Sequence, residues 1–397
     1  MSVRYIGLDI HKQQVTVAGV NAQQQEVIAP LKLSVSRFFQ WAETHLFEMD
    51  TVALEVSSNA WDFYDRLVSQ VAEIQVANPH KIKLISASHK KTDQHDARVL
   101  AKLAAAHLLP TIWVPPAYGR DLRSLTSHRA GLIQERTTAK NRLHSILHRH
   151  NISLPQADPF CAEQSGWWDE LELPAVECLQ VRHEKGRIQQ LNEMIAETEL
   201  ELAHLSASEP WLQPMTLLIQ IPGVGMTSAM TILGAIGDIQ RFPSSKQIVG
   251  YAGLGARVHT SGDTRKSGAI SKAGRKELRK TLIECAWMAV RWSDYWKSRY
   301  QALVKRMPKA KAITAIAHKL LVGIWHILTK RVVDRLADFQ AIAGSLMTWA
   351  TQYGLAAWLG IRRIDFVCQQ LERLEIRHQI DYMPYGGRIY PIAATGS

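Results

Sequence analysis

Three apolar runs open the chain: Val3 to Ile10, Gln14 to Val20, in which Val15, Val17 and Gly19 recur at every second position, and Val27 to Leu33. Patterning with a period of two does not fit a helix, and three such runs in close succession read as a three-stranded meander. A helical pattern then covers Phe38 to Phe47, and a buried strand covers Thr51 to Val56. Ala60 to Val71 is helical, with Trp61, Tyr64, Leu67 and Val68 apolar, and Ile74 to Ala77 forms another strand. Few folds accept three strands followed by helix, strand, helix, strand and helix.

That order is the order of the RNase H-like fold, and it gives meaning to four acids. Asp9 falls on the first strand and Glu55 at the end of the fourth, adjacent in the sheet. Asp93 and Asp96 are three residues apart, so on a helix both project from one face. Divalent magnesium prefers oxygen ligands, and two ions about 3.5–4 Å apart clamp the attacking and leaving oxygens of a phosphodiester. Any one of these acids alone reads as a cap or a surface charge, and Thr92-Asp93 is an ordinary helix start. As a set in this fold order, they read as a metal site. His11 and Lys12, next to Asp9, read as a solvated strand end without a catalytic role.

Lys and Arg number 47 against 36 Asp and Glu, a formal charge of +11, which points to a polyanionic partner. Cys161, Cys178, Cys285 and Cys368 lack metal-type spacing and are expected to be reduced thiols, so no disulfide framework or zinc ribbon is implied. No secretion signal pattern and no run of eighteen uninterrupted apolar residues occurs. The expectation is a soluble, cytoplasmic protein with no membrane partner.

Four regions follow from the patterning: 1–118, the α/β domain; 119–209, a basic helix, a linker and a coiled-coil segment; 210–334, a mainly helical domain; and 335–397, a helical extension and tail. Along the basic helix Leu122, Leu125, Leu132, Ile133, Leu143 and Leu147 supply an apolar stripe, while Arg120, Arg123, Arg129, Arg136, Lys140, Arg142 and Arg149 crowd the rest. The scarcity of acids there favours a phosphate-facing role over a plain solvated face. Ile188, Leu191, Ile195, Thr198, Leu202 and Leu205 form a short heptad seam, which a helical hairpin within one chain also satisfies. Self-association through this seam is the expectation. Pro222-Gly223-Val224-Gly225, ahead of an apolar helix, reads equally as a phosphate-binding helix-hairpin-helix turn or as a tight turn that touches nothing. Ser271 reads as the N-cap of the basic helix that follows it.

The motifs Gly7-Leu8-Asp9-Ile10-His11-Lys12, Glu55 and Lys91-Thr92-Asp93-Gln94-His95-Asp96-Ala97 are followed by Pro222-Gly223-Val224-Gly225, Tyr251-Ala252-Gly253-Leu254, Ser261-Gly262 and Ser271-Lys272-Ala273-Gly274. Over roughly residues 3 to 330 the chain resembles the insertion-sequence transposases related to the Piv DNA invertase, insertion-sequence family one-ten, whose members are bridge-RNA-guided recombinases. The resemblance implies a RuvC-like DEDD domain with Asp9, Glu55, Asp93 and Asp96 as metal-binding acids for Mg2+ or Mn2+. It also implies a transposase domain in which Ser261 is the nucleophile that forms a phosphoserine link to DNA. Donor and target DNA, a guide RNA and a homo-oligomer, dimer or tetramer, are the implied partners. Arg257, Arg265, Lys266, Lys272, Arg275 and Arg279 are then candidates to hold phosphate or RNA, with the basic residues of the long helix. Many relatives follow the second acid with a small residue, Thr or Ser and then Gly, where this chain has Val56-Ser57-Ser58-Asn59.

Two other readings compete. One is a RuvC-like endonuclease that hydrolyses DNA junctions with water and leaves Ser261 idle. The other is a nucleic-acid-binding protein whose chemistry has degenerated. Read without the resemblance, Ser261-Gly262 is a turn whose hydroxyl bonds locally.

Overall fold

The computed structural model describes residues 3–85, 92–161, 164, 166–261 and 264–392, without the side chains of 83–85 and 257–269. The chain divides into two compact units, Met1–Pro115 and Pro116–Ser397.

In the first unit β1 (Arg4–Ile10), β2 (Gln14–Asn21) and β3 (Glu26–Ser34) form the meander, followed by α1 (Val35–His45), β4 (Thr51–Glu55), α2 (Ala60–Leu67), β5 (Glu73–Ala77), α3 (Pro79–Ile85) and α4 (Asp93–Ala105). The sheet order is β3-β2-β1-β4-β5, with the meander antiparallel and β4 and β5 parallel to β1 and to each other. A strand reached through a helix re-enters on the same heading, and this accounts for the mixed sheet.

Alternation of side chains gives the sheet two different faces. Ile6, Leu8, Val52, Leu54 and Val76 point to one, where they pack with Phe38, Phe63 and Leu67 of α1 and α2. Gly7, Ala53 and Ala77 point to the other, where Ala53 and Ala77 pack with Leu100 and Ala104 of α4. A Cβ on Gly7 would lie 1.9 Å from the Ala97 carbonyl oxygen and 2.7 Å from the Ala101 nitrogen. The helix backbone therefore rests on the strand itself, a contact open only to glycine.

The second unit begins with α5 (Ala117–Arg149) and α6 (Ala175–Ser206). Arg129 bonds Glu199, Arg136 bonds Asn192, Arg142 bonds Glu184 and Arg149 bonds Glu177, so the two helices run antiparallel as a hairpin. Ile188, Leu191, Ile195 and Thr198 are buried, and Leu132 packs with Leu191 and Ile195. The heptad seam is used within the chain, which corrects the expectation that it joins two protomers.

α7 (Leu212–Ile219), α8 (Met226–Ile236), α9 (Ser245–Tyr251), the hairpin of β6 (Ala256–Ser261) and β7 (Thr264–Ile270), α10 (Lys276–Trp292), α11 (Asp294–Val304) and α12 (Lys309–Lys330) follow. α13 (Phe339–Thr351), α14 (Leu355–Trp358), α15 (Arg363–Arg373) and a last hairpin of β8 (Tyr382–Tyr385) and β9 (Arg388–Pro391) complete the unit. One core runs from Leu122 through the α7–α12 region to Ile392. The stretch beyond 335 therefore packs into the same body as 210–334, to which Thr216 on Gln370 (2.9 Å) ties it, and Trp349 on Ser206 (2.8 Å) ties it to α6. By length and composition α12 alone among the described helices is apolar enough to cross a membrane. Half of its most apolar window is buried in this core.

Candidate functional site

β1 and β4 end side by side. Leu8 is in register with Leu54, so Asp9 and Glu55 are the next residues along parallel neighbours, both on the α4 face. Asp9 also lies opposite Thr16 on β2, and Thr16 opposite Lys32 on β3. A single rung across the sheet thus carries Glu55, Asp9, Thr16 and Lys32. Because Ala97 rests on Gly7, the residue one turn earlier on α4, Asp93, comes over this rung.

The start of α4 is fixed by Thr92, whose hydroxyl accepts from the His95 backbone N–H at 3.2 Å. The N-cap expected at Thr92 is present, and it sets Asp93 in the first turn of α4. Acids in a first helical turn also meet the positive end of the helix dipole.

His11 Nε2 lies 3.2 Å from Asp9 Oδ2 and 3.4 Å from Asp93 Oδ1. One donor atom from each of Asp9, His11 and Asp93 lies within 4.8 Å of the other two. Lys32 donates to Asp93 Oδ2 at 2.9 Å. Burial, reinforced by the charges of Asp96 and Asp93, raises the pKa of Asp9 against the opposing pull of His11. The Lys32 hydrogen bond holds the pKa of Asp93 below its ordinary value. Asp9, Asp93 and Asp96 therefore act on one another electrostatically, while Glu55 belongs to the rung by register. Two carboxylates and an imidazole converging at hydrogen-bond range suit a divalent cation, with Glu55 and Asp96 beside them.

Sequence reasoning missed two residues here. His11 was read as a solvated strand end, yet it bridges two of the acids; its signal was the Asp9-x-His11 spacing, which returns the ring to the same side of the chain. Lys32 carried no motif, and only the strand register brings it to Asp93. The residues that depart from the relatives' pattern after Glu55 also have a local use. Asn59 donates to the His11 carbonyl at 3.2 Å and accepts from Ser57 at 3.0 Å, tying the turn after Glu55 to the end of β1.

In the second unit Ser261 ends β6 opposite Thr264. Gly262 and Asp263 lie outside the described residues, as do the side chains of Arg257, Ser261, Arg265 and Lys266. Ser271 does not cap α10, whose N-cap is Arg275. The Ser271 N–H instead donates to Gly255 at the base of the hairpin, 2.8 Å away. At Gly274 the backbone passes so close to Tyr251 that a Cβ would meet the carbonyl oxygen at 2.3 Å. Gly223, at φ +84°, is tied to packing in the same way, since a Cβ would lie 2.5 Å from the Cys285 carbonyl oxygen of α10. The Gly225 N–H donates to the Ser228 hydroxyl. In this turn Gly223 serves helix contact, whereas a Cβ on Gly225 would meet nothing within 4 Å.

Several basic residues marked for phosphate also hold the fold. Arg123 donates to the carbonyls of Gly234 and Ala235 at the end of α8, and burial lowers its pKa to about 10. Arg241 and Arg275 press their charges on it, and Tyr251 lies close enough to offset part of this. Lys140 lies over the Phe160 ring at 4.3 Å, and Arg279 donates to Ala252 at 3.0 Å. Lys272 takes a left-handed backbone at φ +53°. Arg120 lies in the first turns of α5.

Comparison with known proteins matches both regions. The profile described as Transposase IS116/IS110/IS902 family covers residues 215–301, and a transposase profile of the IS110 DEDD type covers residues 6–152. The transposase for insertion sequence element IS1111A of Coxiella burnetii is 24% identical over 346 residues, 84% of this chain and 92% of that protein. A probable family 20 transposase of Pseudomonas aeruginosa is 25% identical, over 84% of this chain and 99% of its own length. The pilin gene-inverting protein of Moraxella bovis is 26% identical, over 81% and 94%. The acid-bearing unit and the hairpin-bearing region are thus each similar to transposases of the IS110/IS116/IS902 type.

Proposed function

We propose that this chain cleaves and rejoins DNA as the transposase of a bacterial insertion sequence, acting in the cytoplasm on donor and target DNA. The observation that carries the reading is the convergence of Asp9, His11 and Asp93 at the end of β1, with Asp96 felt by Asp9 and Glu55 next in register. Asp9, Glu55, Asp93 and Asp96 would hold Mg2+ or Mn2+. When bound, the ion supplies positive charge to the phosphate under attack.

The chain's own residues do the rest. The Ser261 hydroxyl attacks phosphorus; its oxygen–phosphorus bond forms as a phosphorus–oxygen bond of the strand breaks. The hydroxyl proton passes to a base, and the departing DNA oxygen takes one up. One phosphodiester is exchanged for another, so the strand can be rejoined without an outside energy source. Basic residues of α5 and of the region 257–279 hold phosphates, and a noncoding guide RNA selects sequences by pairing. Because the α6 seam is filled within the chain, a dimer or tetramer would assemble through another surface.

The acid cluster by itself also suffices for hydrolysis by water, and that is the second reading. A gel assay with purified protein, copurified RNA, Mg2+ and labelled DNA separates the two. The recombinase requires a denaturation-resistant protein–DNA adduct that is lost in both Ser261→Ala and Asp9→Ala. Cutting that survives Ser261→Ala, is lost in Asp9→Ala and never yields an adduct would leave only the nuclease.

A further inference from the structure

Thr16 stands in the middle of the rung that carries the acids, with Asp9 opposite it on β1 and Lys32 opposite it on β3. Val15 and Val17, its neighbours along β2, belong to the core under α1 and α2, so the Thr16 side chain points to the other face, toward α4. There it is 0% exposed. Its hydroxyl oxygen has no hydrogen-bond partner among the described residues.

That placement is costly, and the strand does nothing to relieve it. A buried hydroxyl without a partner loses its bonds to water and gains none. The buried hydroxyls of Thr198, Ser206 and Thr216 avoid the cost by donating to carbonyls of their own helices. A strand offers no such carbonyl, because its own are turned to the neighbouring strands. Valine has nearly the same shape, carries no polar atom in its side chain and suits a strand as well. Folding alone therefore gives no reason for the hydroxyl, and the acid beside it on the rung is Asp9.

We infer that Thr16 is a positioning residue for the ion site: its hydroxyl donates to the Asp9 carboxylate when a divalent cation is bound. Residues directly opposite on antiparallel neighbours have Cβ atoms about 4.5–5.5 Å apart, so a hydroxyl on one reaches a carboxylate on the other by turning about χ1. An ion among Asp9, His11 and Asp93 draws on Asp9 Oδ2, the oxygen 3.2 Å from His11 Nε2, and leaves the second oxygen to be held by the protein. Carboxylates that ligate metals are commonly oriented by such a further donor. A neutral hydroxyl does this without setting a positive charge against the ion, as Lys32 on the same rung would.

This deepens the metal reading of the acid cluster and rests on it. The test is Mn2+ binding to the full chain by titration calorimetry, with thermal unfolding in chelator measured alongside. Thr16→Val should weaken Mn2+ binding about 10-fold or more without lowering the unfolding temperature, since it deletes an unpaired hydroxyl. Thr16→Ser keeps the hydroxyl and loses a methyl, so it should do the reverse, lowering the unfolding temperature while Mn2+ affinity stays at the wild-type level. General damage to the fold cannot make the two readouts cross in this way.

Mn2+ affinity unchanged in Thr16→Val, or lost equally in Thr16→Val and Thr16→Ser, would overturn the inference. Early unfolding of Thr16→Val in chelator overturns it as well, because the hydroxyl would then have a partner before any ion binds. Wild type that binds no Mn2+ sinks the metal reading and this inference together, whereas wild-type binding that Asp9→Ala abolishes and Thr16→Val leaves unchanged sinks the inference alone.

Discussion

Gly7→Ala is the smallest change that should separate the two halves of the acid cluster. The added methyl would lie 1.9 Å from the Ala97 oxygen and 2.7 Å from the Ala101 nitrogen, both backbone atoms of α4 that cannot rotate away. Restoring an ordinary contact of about 3.5 Å requires α4 to retreat by roughly 1.6 Å along the line to the Ala97 oxygen. Overpacking of this kind costs about 1–3 kcal/mol, so the first unit stays folded but weakened. The consequence for chemistry is larger, since Asp93 and Asp96 travel with α4 while Asp9 and Glu55 stay on the sheet. Magnesium–oxygen distances near 2.0–2.1 Å do not tolerate such a shift, and misplacement by about 1 Å lowers a rate about 100-fold. Titration calorimetry with Mn2+ and the strand-cleavage assay should both show the loss in Gly7→Ala. Gly131→Ala is the comparator, because its Cβ meets nothing within 4 Å and alanine improves the helix by up to about 1 kcal/mol. Wild-type metal affinity and cleavage in Gly7→Ala would refute the claim that the α4–β1 contact sets the site.

In chelator at neutral pH, Asp9→Asn should raise the unfolding temperature and Asp93→Asn should lower it. Asp9 has its folded pKa above the ordinary 3.8, so stability falls as pH rises from 3.8 through that raised value and the penalty is complete at neutrality. Asp93 has its folded pKa below 3.8, so its contribution is present above 3.8 and is lost as pH falls through the lowered value. Scanning calorimetry that gives both substitutions the same sign contradicts this account. Lys32→Met frees the Asp93 carboxylate from its 2.9 Å partner, a half-exposed pair worth at most about 1 kcal/mol, so Mn2+ should bind up to about 5-fold more tightly. Weaker binding in that variant would mean that Lys32 aligns Asp93 rather than competing with the ion. Ser206→Ala removes the acceptor of the buried Trp349 Nε1–H and should cost about 1–3 kcal/mol in denaturant unfolding, whereas a cost near zero would show that the α13 region is held by apolar packing alone.

The sheet was legible because each strand carried its own period and each connection its own helix; the runs read from Val3, Gln14, Val27, Thr51 and Ile74 are β1 to β5 to within a residue or two at most ends. Glu55 and Asp9 were legible for the same reason, since strand order alone makes them neighbours. Lys32 was not, because its place depends on cross-strand register, which leaves no pattern in the chain, and His11 left only the Asp9-x-His11 spacing, which gives the side of the chain but not the direction of the ring. The seam of α6 was seen but its partner was not: a stripe at Ile188, Leu191 and Ile195 states that something apolar covers it, and only the Arg–Glu pairs along α5 reveal that the cover is the preceding helix. Arg123 illustrates a third limit. An arginine serving helix carbonyls and one serving a phosphate are the same letter in a basic run.

The acids at the end of β1 are met by two basic side chains. Asp9, Asp93 and Asp96 repel one another, and Asp9 is half-buried, so ionising all of them without an ion opposes the approach of α4 to the sheet. His11 between Asp9 and Asp93, and Lys32 on Asp93, place donors where a cation would otherwise be needed. The contact at Gly7 and these two side chains together hold the start of α4 against the sheet. The same arrangement lowers the site's affinity for an ion, since Lys32 and a metal draw on the same Asp93 oxygens. An ion held here as proposed would have to displace Lys32 and His11 from the Asp93 oxygens.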